Sequence, residues 1–337
     1  MPLAVSHLSL AGTGIRTTLA ALAELHGPLP AASRRPTFAT GFDAVDRALG
    51  GGVRPGELVL VGGKPGIGKT IAAMQWARSM AGAGVIAIYL SYQHDELVLL
   101  TRLLTSELGE LVASTPGTSG AHSEELRARI HDVAAGAISL REALRSDPLL
   151  AEAHRRLTTC ADRLVLASGS VAHTDAASIT AIVERFGNHP VALFVDYVQK
   201  VPPAVDESDS AHGAVVERLK RFALERNVAV IGVAAADHAG LTAPRLHARH
   251  LRGSTALAHE PDVIIVLNDA SSGVTSSEAD PPAVVFSVEK NRNGAAEIDI
   301  RLEKDFAHFR FQQGGRRVGN RRAQGAVQHA STRSFGT

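Results

Sequence analysis

The residues Leu58-Val-Leu-Val-Gly-Gly-Lys-Pro-Gly-Ile-Gly-Lys-Thr70 decide the fold of this chain, since an apolar run leads through a glycine-rich turn into a helical pattern, Thr70–Ala81. The turn fits G-x-x-x-x-G-K-[ST]. It consists of Gly63, Lys64, Pro65, Gly66, Ile67, Gly68, Lys69 and Thr70. Glycines let backbone N–H groups surround phosphate oxygens at a helix N-terminus, while Lys69 reaches the β- and γ-phosphates and Thr70 ligates Mg²⁺. The pattern therefore predicts a phosphate loop for ATP and Mg²⁺, rather than a glycine-rich turn with a chance lysine.

A second apolar run, Val191-Ala-Leu-Phe-Val-Asp196, ends in a carboxylate. In enzymes with a phosphate loop, an acid at the end of such a strand holds Mg²⁺ through its coordination shell. An aspartate that only caps the next turn would give the same pattern. Together with the phosphate loop, however, the run favours Thr70 and Asp196 as metal-positioning residues.

Short apolar runs alternate with helical patterns along most of the chain. Runs that are apolar at nearly every position are typical of strands covered on both faces, as in a parallel sheet. The predicted strands are Leu58–Val61, Val85–Leu90, Val191–Asp196, Val228–Ala234, Val263–Leu267 and Ala283–Val288, followed by a hairpin of Ile298–Leu302 and Phe306–Phe311. A capping box, Ser139-Leu-Arg-Glu142, opens one predicted helix, and apolar faces at 179–186 and 216–223 predict two more. The alternation predicts an α/β fold with a doubly wound, mostly parallel sheet and a C-terminal β-hairpin.

The chain divides into three predicted parts. Residues 1–36 form an N-terminal segment with one helical pattern, Thr17–His26, and a Pro/Ala/Ser/Arg linker. Residues 37–311 form the α/β domain. Residues 312–337 are rich in Gly, Arg and Gln without periodicity, which predicts a disordered basic tail.

Composition limits the class of protein. With 337 residues, 45% apolar and 20% charged, the chain is typical of a globular protein. The single cysteine, Cys160, excludes an intrachain disulfide and a Cys-based zinc site. No apolar run approaches the roughly 20 residues that span a bilayer, and no signal peptide is recognisable, so we expect a cytoplasmic protein without a membrane partner. The net charge is +1, and five arginines in the last 25 residues leave the rest at −4, so DNA contacts must come from a local patch or the tail.

Several sequence blocks occur in a recognisable order: Thr40-Gly-Phe-Asp43, Leu49-Gly-Gly-Gly52, the phosphate loop, Asp196-Tyr-Val-Gln199, Leu251-Arg-Gly-Ser254, Pro261-Asp-Val-Ile-Ile265 and Lys290-Asn-Arg-Asn-Gly294. Over about Phe38 to Phe311, they resemble the motor domain of DnaB-type replicative helicases in order and spacing. RecA and the KaiC group share the phosphate loop and the acidic strand, whereas D-Y-x-Q and K-x-R-x-G point to the DnaB branch. The resemblance implies a RecA-like P-loop ATPase fold.

The resemblance also implies an assembly. In that family the motor domains form a ring with ATP bound between neighbours, so we expect a homo-oligomer, as a hexameric ring, on single-stranded DNA. Lys290 and Arg292 would then act in trans on the γ-phosphate, where cationic groups suit the developing charge. Gln199 would sense the phosphate or link the site to the DNA loops. Without the resemblance, the first two residues would be a solvated basic turn and Gln199 a polar residue leaving a strand.

This chain departs from the family pattern at the catalytic base. The family places a glutamate just after the second strand, four residues before another glutamate, and counting back from Glu96 gives Tyr92. Tyrosine, with an ordinary pKa of about 10, is a poor base for water. A shifted register would let Asp95 or Glu96 substitute. After the fourth strand the family has Ser-Gln where this chain has Ala234-Ala-Ala236, so a polar reporter of nucleotide state is missing.

The N-terminal part departs as well. Helicases of this type carry a helical N-terminal domain that meets primase, and 36 residues leave no room for it before the α/β domain. The Thr17–His26 pattern resembles the family's linker helix, which docks on the neighbouring motor domain. A frayed amphipathic segment would give the same pattern.

Two loops are expected to contact DNA. The first, Val201–Ser210, is acidic and would repel phosphate. The second, Pro244–Arg252, offers three arginines for the DNA backbone, although a solvated basic loop has the same composition. These arginines are Arg245, Arg249 and Arg252. His247 and His250 lack a carboxylate at ligand spacing, so a metal site there is not favoured.

Together these features predict an ATP-dependent DnaB-type helicase motor of DNA replication, whose turnover is slowed if Tyr92 replaces the base. The main alternative is a nucleotide-binding assembly or regulatory module that has lost efficient catalysis. A third interpretation, a RecA- or KaiC-like ATPase acting on protein partners, has only the acidic loop in its favour.

Overall fold

The computed structural model describes residues 36–171, 174–202, 211–253, 256–270 and 281–320. The helix predicted at Thr17–His26, residues 203–210 of the acidic loop and the chain beyond Asn320 lie outside the described residues. Thr37 begins the unit that contains the α/β domain.

One mixed sheet organises the described part of the chain. Its strands are β1 Leu58–Gly63, β2 Ile86–Ser91, β3 Leu164–Ser168, β4 Val191–Asp196, β5 Ala229–Ala235, β6 Val263–Asp269, β7 Ala283–Asn291, β8 Ile298–Asp305, β9 Arg310–Phe311 and β10 Arg316–Asn320. Their order is β10-β8-β7-β6-β1-β5-β4-β2-β3, and β9 pairs with β8 beside β10. Strands β1 to β6 are parallel, whereas β7 to β10 pair antiparallel. The predicted α/β class with a mostly parallel sheet is confirmed.

Helices connect the strands. They are α1 Asp43–Ala48, α2 Lys69–Gly82, α3 Glu96–Ser114, α4 Gly120–Ala134, α5 Leu140–Ser146, α6 Pro148–Thr158, α7 Ala176–Glu184, α8 Ala211–Arg226, α9 His238–Thr242 and α10 Ala256–His259, with 3-10 turns at Val198–Lys200, Ala248–His250 and Phe306–His308. Ser139 is the N-cap of α5, since its hydroxyl accepts from the backbone N–H of Glu142 at 3.2 Å. Among the helices described, none is long and apolar enough to cross a membrane.

Alternation along the strands produces two cores. Val59 and Val61 of β1 face α2 and α3, in a cluster that includes Trp76. Leu58 and Leu60 face the other side, in a cluster with residues of α7 and α8. Because helices cover both faces, the parallel strands are apolar on both sides, which is why their runs are recognisable in the sequence.

The region between β2 and β4 contains elements that the sequence patterns did not predict. Helices α3, α4 and α6 and strand β3 all lie there without a predicted counterpart, whereas the helix after Ser139 and the helix with its apolar face at 179–186 were predicted. Strand β3 is five residues long and half-buried, and among the described strands it pairs only with β2. A short edge strand has no strong periodic pattern, so it is easily missed.

The C-terminal end differs from its prediction in two ways. The hairpin partner predicted at Phe306–Phe311 is mostly a 3-10 turn, and only Arg310–Phe311 pairs with β8. The disorder predicted from residue 312 does not hold for Arg316–Asn320, which pairs with β8 as β10. The free edge of β8 supplies the hydrogen-bond partners of this segment, and such a long-range partner leaves no local signal.

Candidate functional site

The predicted phosphate loop joins β1 to α2 at the C-terminal edge of the parallel strands. Gly66 and Gly68 have φ of +74° and +101°, in the left-handed region that favours glycine. A Cβ on Gly68 would also lie 2.6 Å from the Phe311 ring. Lys69 Nζ donates to the Lys64 carbonyl at 2.9 Å. The lysine and the N-terminus of a 14-residue helix thus meet at one turn, as anion binding requires.

Asp196 lies beside this loop, at the end of β4. One of its oxygens, Oδ2, accepts from the Thr70 hydroxyl at 2.8 Å and from the Tyr89 hydroxyl at 2.7 Å. The other, Oδ1, is buried and has no partner among the described residues. Burial raises the pKa of Asp196, against the hydrogen bonds from Tyr89 and Thr70 and the charge of Lys69. An unpaired oxygen in a buried carboxylate calls for a cation or another donor.

These residues fit a magnesium ion shared with phosphates. Mg²⁺ prefers oxygen ligands and is usually held by one or two protein groups, waters and substrate phosphates rather than by a full protein cage. Thr70 Oγ1 and Asp196 Oδ1 are such oxygens, and they lie next to the loop that faces the phosphates. In the part of the chain that the structure describes, no group of three or more His, Cys, Asp or Glu side chains could hold a metal by itself.

Lys69 is buried although it carries the charge that phosphate binding needs. Its side chain is 4% exposed, and its Nζ lies 5.4 Å from the centroid of the Tyr197 ring. Burial lowers the pKa of Lys69 to about 8, while the charge of Asp196 raises it. A buried ammonium with few acceptors is stabilised by an incoming phosphate, so the site is prepared for an anion.

Tyr92 does not lie where the alignment on Glu96 placed it. Side chains alternate along a strand, and Tyr89 faces α2, so Tyr92 faces the opposite side of the sheet. Its hydroxyl donates to the Thr174 carbonyl at 2.5 Å, and its ring packs on Gly169, where a Cβ would lie 2.8 Å from it. Burial raises the pKa of Tyr92 well above its ordinary value. Its phenol therefore does not occupy the position of a base.

The two acids considered as substitutes are also engaged elsewhere. Asp95 caps α3, with Oδ1 accepting from the Val98 backbone N–H at 2.8 Å, and Glu96 Oε1 accepts from the Ser168 N–H at 3.0 Å. His94 belongs to the same loop. Burial and the charge of Arg102 lower the pKa of His94, against the charges of Asp196 and Asp95. No carboxylate of the β2–α3 loop is directed at the phosphate loop.

Gln199 links two loops. Its Nε2 donates to the Arg252 carbonyl at 2.9 Å and to the Ala235 carbonyl at 3.4 Å, and its Oε1 accepts from the Ala235 N–H at 3.2 Å. The amide is thus engaged at both ends with the end of β5 and the basic loop. Of the two roles expected for Gln199, this geometry suits the connection to the loops.

Lys290 and Arg292 lie far from the phosphate loop of their own chain. Lys290 Nζ donates to the carbonyls of Ala258 and His259 at 3.0 and 2.6 Å, and Arg292 Nη2 donates to the latter at 2.7 Å. In the sheet, Asn291 pairs with the first residue of β6, whereas Gly63 of the loop pairs with Leu267, four residues later. Four residues of strand span about 13 Å. One chain alone does not bring these cations to its nucleotide site.

The three arginines of the basic loop have different surroundings. Arg245 Nη2 donates to both carboxylate oxygens of Asp299, at 2.8 and 2.7 Å, and to the Ser287 hydroxyl at 2.8 Å. Arg249 and Arg252 are exposed. The structure therefore assigns Arg245 to an ion pair with β8 and leaves the other two arginines accessible to a phosphate backbone.

A cavity of about 730 Å³, which no sequence pattern predicted, lies beside the site. It is lined by residues of α3 and α4 and by Phe309. The Arg102 guanidinium lies 5.2 Å from the centroid of the Phe309 ring. Burial lowers the pKa of Arg102, against smaller raising effects of Tyr89 and Asp196. Because these residues are about 200 positions apart, only folding brings them together.

Comparison with known proteins identifies the family. The model of the "DnaB-like helicase C terminal domain" matches residues 37–311. The chain belongs to this DnaB-like family. Two solved structures have the same fold with a TM-score of 0.65 and 18% identity over 87% of this chain: an isolated ATPase domain, covered to 95%, and a DnaB-like replicative helicase described with its interactions with primase, covered to 65%.

Curated relatives of this DnaB-like chain are DNA repair proteins named RadA. The protein from Halalkalibacterium halodurans is 30% identical over 164 residues, which are 48% of this chain and 32% of the relative. The protein from Bacillus subtilis is 39% identical over 77 residues, 23% of this chain and 16% of the relative. The aligned part thus spans about a third or less of these relatives. Together with the family match, they establish an ATPase of the RecA/DnaB superfamily.

Proposed function

We propose that this chain is an ATP-dependent motor of DnaB type, which binds ATP with Mg²⁺ and single-stranded DNA and couples hydrolysis to translocation or unwinding of DNA in replication, in the cytoplasm. The observation that carries the proposal is the contact between Thr70 and Asp196 beside the buried Lys69. A hydroxyl, a carboxylate oxygen without a partner and an ammonium, all at the end of a phosphate loop, match the needs of a nucleoside triphosphate.

The chain's own residues would act as follows. Lys69 exchanges the Lys64 carbonyl for phosphate oxygens, which are stronger acceptors because they are charged. Thr70 Oγ1 and Asp196 would hold Mg²⁺, which when bound supplies positive charge at the β- and γ-phosphates. Tyr89 keeps the Asp196 carboxylate oriented through its hydroxyl. The remaining loop residues from Gly63 to Gly68, except Pro65, which has no N–H, would contribute backbone N–H groups.

We assign the nucleoside to the cavity beside Arg102 and Phe309. A guanidinium stacked on an aromatic ring offers a planar surface, and cavities of a few hundred Å³ or more suit small ligands. Phe309 lies in the same C-terminal turn as Phe306 and Phe311, whose rings lie against Gly68 of the phosphate loop, which supports a position next to the phosphates.

The expected hexameric ring with catalysis in trans is supported by the position of Lys290 and Arg292. Both lie at the edge of the sheet opposite the phosphate loop, which is consistent with a contribution at another subunit's site. There, a guanidinium would stabilise charge that develops on the γ-phosphate. In this arrangement Gln199 connects the end of β5 to the loop with Arg249 and Arg252, which would contact the backbone of single-stranded DNA.

A second candidate function, a nucleotide-binding assembly or regulatory module with weak catalysis, is favoured by one observation. The acids of the β2–α3 loop, Asp95 and Glu96, bind backbone N–H groups instead of turning to the site. Without a base, hydrolysis loses a contribution of about 10²–10⁴ in rate.

Steady-state and single-turnover ATP hydrolysis, each with and without single-stranded DNA, tests the proposal and separates the two candidates. For the motor, DNA stimulates hydrolysis and Lys69→Ala abolishes it, whereas the control Glu125→Gln, at an exposed salt bridge on α4, changes nothing. Tight ATP binding with negligible single-turnover hydrolysis in both conditions would instead identify the weakly catalytic module. Failure of the wild-type protein to bind ATP would refute both.

A further inference from the structure

Residues 305–311, here called the aromatic turn, run from the end of β8 through β9 and carry three phenylalanines. The rings of Phe306 and Phe311 lie against Gly68 of the phosphate loop, where a Cβ would be 2.7 and 2.6 Å from them. Phe309 instead lines the cavity to which we assign the nucleoside, and it is 36% exposed. The aromatic turn therefore borders the phosphate loop on one side and this cavity on the other.

Phe309 has an unfavourable backbone conformation. Its φ of +49° and ψ of +46° lie in the left-handed region, which a bulky side chain rarely adopts and which favours glycine or asparagine. Because more than a third of this residue is exposed, packing in a core does not account for a phenylalanine here. Such a conformation persists only where the surrounding structure holds it, and it is often found where a side chain has a functional task.

A chain of side-chain hydrogen bonds holds the aromatic turn against α4. Ser123 Oγ lies 2.7 Å from His308 Nε2, and His308 Nδ1 lies 2.8 Å from Asp305 Oδ1. Since a carboxylate only accepts, it keeps a proton on Nδ1, and in the neutral ring Nε2 accepts from the Ser123 hydroxyl. His308 also packs on Gly109 of α3, which leaves no room for a Cβ there. The residue before Phe309 is therefore fixed on both sides of its ring.

The residues after Phe309 are held as firmly. Arg310 is 6% exposed, and its Nη1 donates to the Gly109 carbonyl at 3.0 Å and lies 3.8 Å from Asp305 Oδ2. Gln75 of α2 engages both backbone groups of Phe311, since its Oε1 accepts from the N–H at 2.7 Å and its Nε2 donates to the carbonyl at 3.1 Å. Contacts with α2, α3 and α4 thus fix the backbone on each side of Phe309.

We propose that the hydrogen-bonded chain from Ser123 to Asp305 is a positioning device, which holds Phe309 as the stacking surface for the base of a bound nucleotide. A base gains affinity by stacking on an aromatic ring, and a ring that is already ordered loses little conformational freedom when the ligand binds. The cost of the left-handed backbone at Phe309 is then offset by contacts made elsewhere in the turn. The inference rests on the proposed function, because it concerns the nucleotide bound beside the phosphate loop.

Ser123, His308 and Asp305 have the order of groups found in serine hydrolases, but the surroundings of the serine argue against that chemistry. Ser123 is 5% exposed and is not among the residues that line the cavity. A substrate in the cavity would not reach its hydroxyl. The three residues therefore act through the backbone of the aromatic turn rather than on a ligand.

The test compares two ligands by isothermal titration calorimetry, inorganic tripolyphosphate and a non-hydrolysable ATP analogue, both with Mg²⁺. Stacking of one base corresponds to about 5- to 150-fold in affinity, so the wild-type Kd for tripolyphosphate should exceed that for the analogue by at least about fivefold. Phe309→Asn, which removes the ring but suits a left-handed backbone, should weaken binding of the analogue by about fivefold or more. Its Kd for tripolyphosphate should stay within about twofold of wild type, because the phosphate loop is intact.

Ser123→Ala and Asp305→Asn should act through Phe309. Each should weaken binding of the analogue by at least about threefold and leave tripolyphosphate binding unchanged. The double variant Ser123→Ala/Phe309→Asn should bind the analogue no more weakly than Phe309→Asn alone, since a ring that is absent cannot be misplaced. Ser114→Ala is the matched control, because this exposed hydroxyl bonds only to carbonyls of its own helix.

Thermal unfolding of each variant shows that it is folded, and substitutions at the two ends of the hydrogen-bonded chain keep the test decisive if one variant is not. Equal wild-type affinity for the two ligands, or a Phe309→Asn protein that binds the analogue as the wild type does, would overturn the inference. Ser123→Ala and Asp305→Asn proteins that lose affinity for both ligands equally would also overturn it, because the chain would then only support the fold. A wild-type protein that binds neither ligand would instead overturn the proposed function.

Discussion

Replacing Lys69 by methionine should lower nucleotide affinity and raise the stability of the nucleotide-free protein. Both effects are expected because the buried Lys69 ammonium is destabilising until a phosphate binds to it. Methionine has a similar length and no charge, so Lys69→Met removes the ammonium with little change in packing. The lost contacts are the hydrogen bond to the Lys64 carbonyl and the approach to the Tyr197 ring.

The pKa of Lys69 gives the magnitude and the sign. The difference between the ordinary value of 10.5 and about 8 corresponds to about 3 kcal/mol against the charged form in the folded state. Below pH 8 the lysine is charged in both the folded and the unfolded state, so the full cost applies. The cost disappears as pH rises from about 8 to 10.5, because the folded state loses its proton first. Lys69→Met also loses the hydrogen bond to the Lys64 carbonyl, which offsets about 1–2 kcal/mol of the expected gain in the free energy of unfolding.

At pH 7, Lys69→Met should therefore raise the free energy of unfolding by about 1–2 kcal/mol, which corresponds to a Tm higher by about 2–8 °C. This stabilisation should be smaller at pH 9.5. Nucleotide affinity should fall about 10- to 100-fold, as expected for loss of a charged hydrogen-bond donor. The assays are thermal unfolding without nucleotide at both pH values and equilibrium binding of a fluorescent ATP analogue. Lys200→Met, at an exposed lysine, is the control for both. A destabilised Lys69→Met protein, or one that binds nucleotide as tightly as the wild type, would refute this account of the site.

Three further predictions concern the base, the subunit interface and the core. Tyr92→Glu should leave single-turnover ATP hydrolysis within about threefold of wild type, because this side chain faces away from the nucleotide; a tenfold increase would restore the alignment on Glu96. Lys69→Ala and Arg292→Ala, each inactive alone, should recover ATPase activity when mixed, and mixed oligomers that stay inactive would contradict catalysis in trans. Asp262→Ala should cost about 3–5 kcal/mol in urea unfolding, because the buried Asp262 carboxylate bonds to the partly buried Lys220 at 2.7 Å and to the first N–H of β1 at 2.8 Å. A loss below about 1 kcal/mol, the range of an exposed pair, would show that this pair is not a buried anchor.

Sequence by itself determined the features whose parts are contiguous in the chain. The phosphate loop is one, since its glycines, Lys69 and Thr70 lie within eight residues between a strand and a helix. The parallel strands are another, because burial on both faces makes each of them apolar throughout. Asp196 was assigned correctly to the end of β4 for the same reason. These signals are local, so they can be recognised in the sequence without knowing how distant parts of the chain pack.

Tertiary structure alone decided the features that depend on a partner far along the chain. The face on which Tyr92 lies follows from the point where β2 ends and from its contact with Thr174, 82 residues later. Arg245 was predicted to contact DNA, but it forms an ion pair with Asp299, 54 residues away, because a partly buried carboxylate needs a counter-charge. Strand β10 exists because β8 offers an unpaired edge. Sequence spacing sets which groups are available, but only the packed chain determines which of them meet.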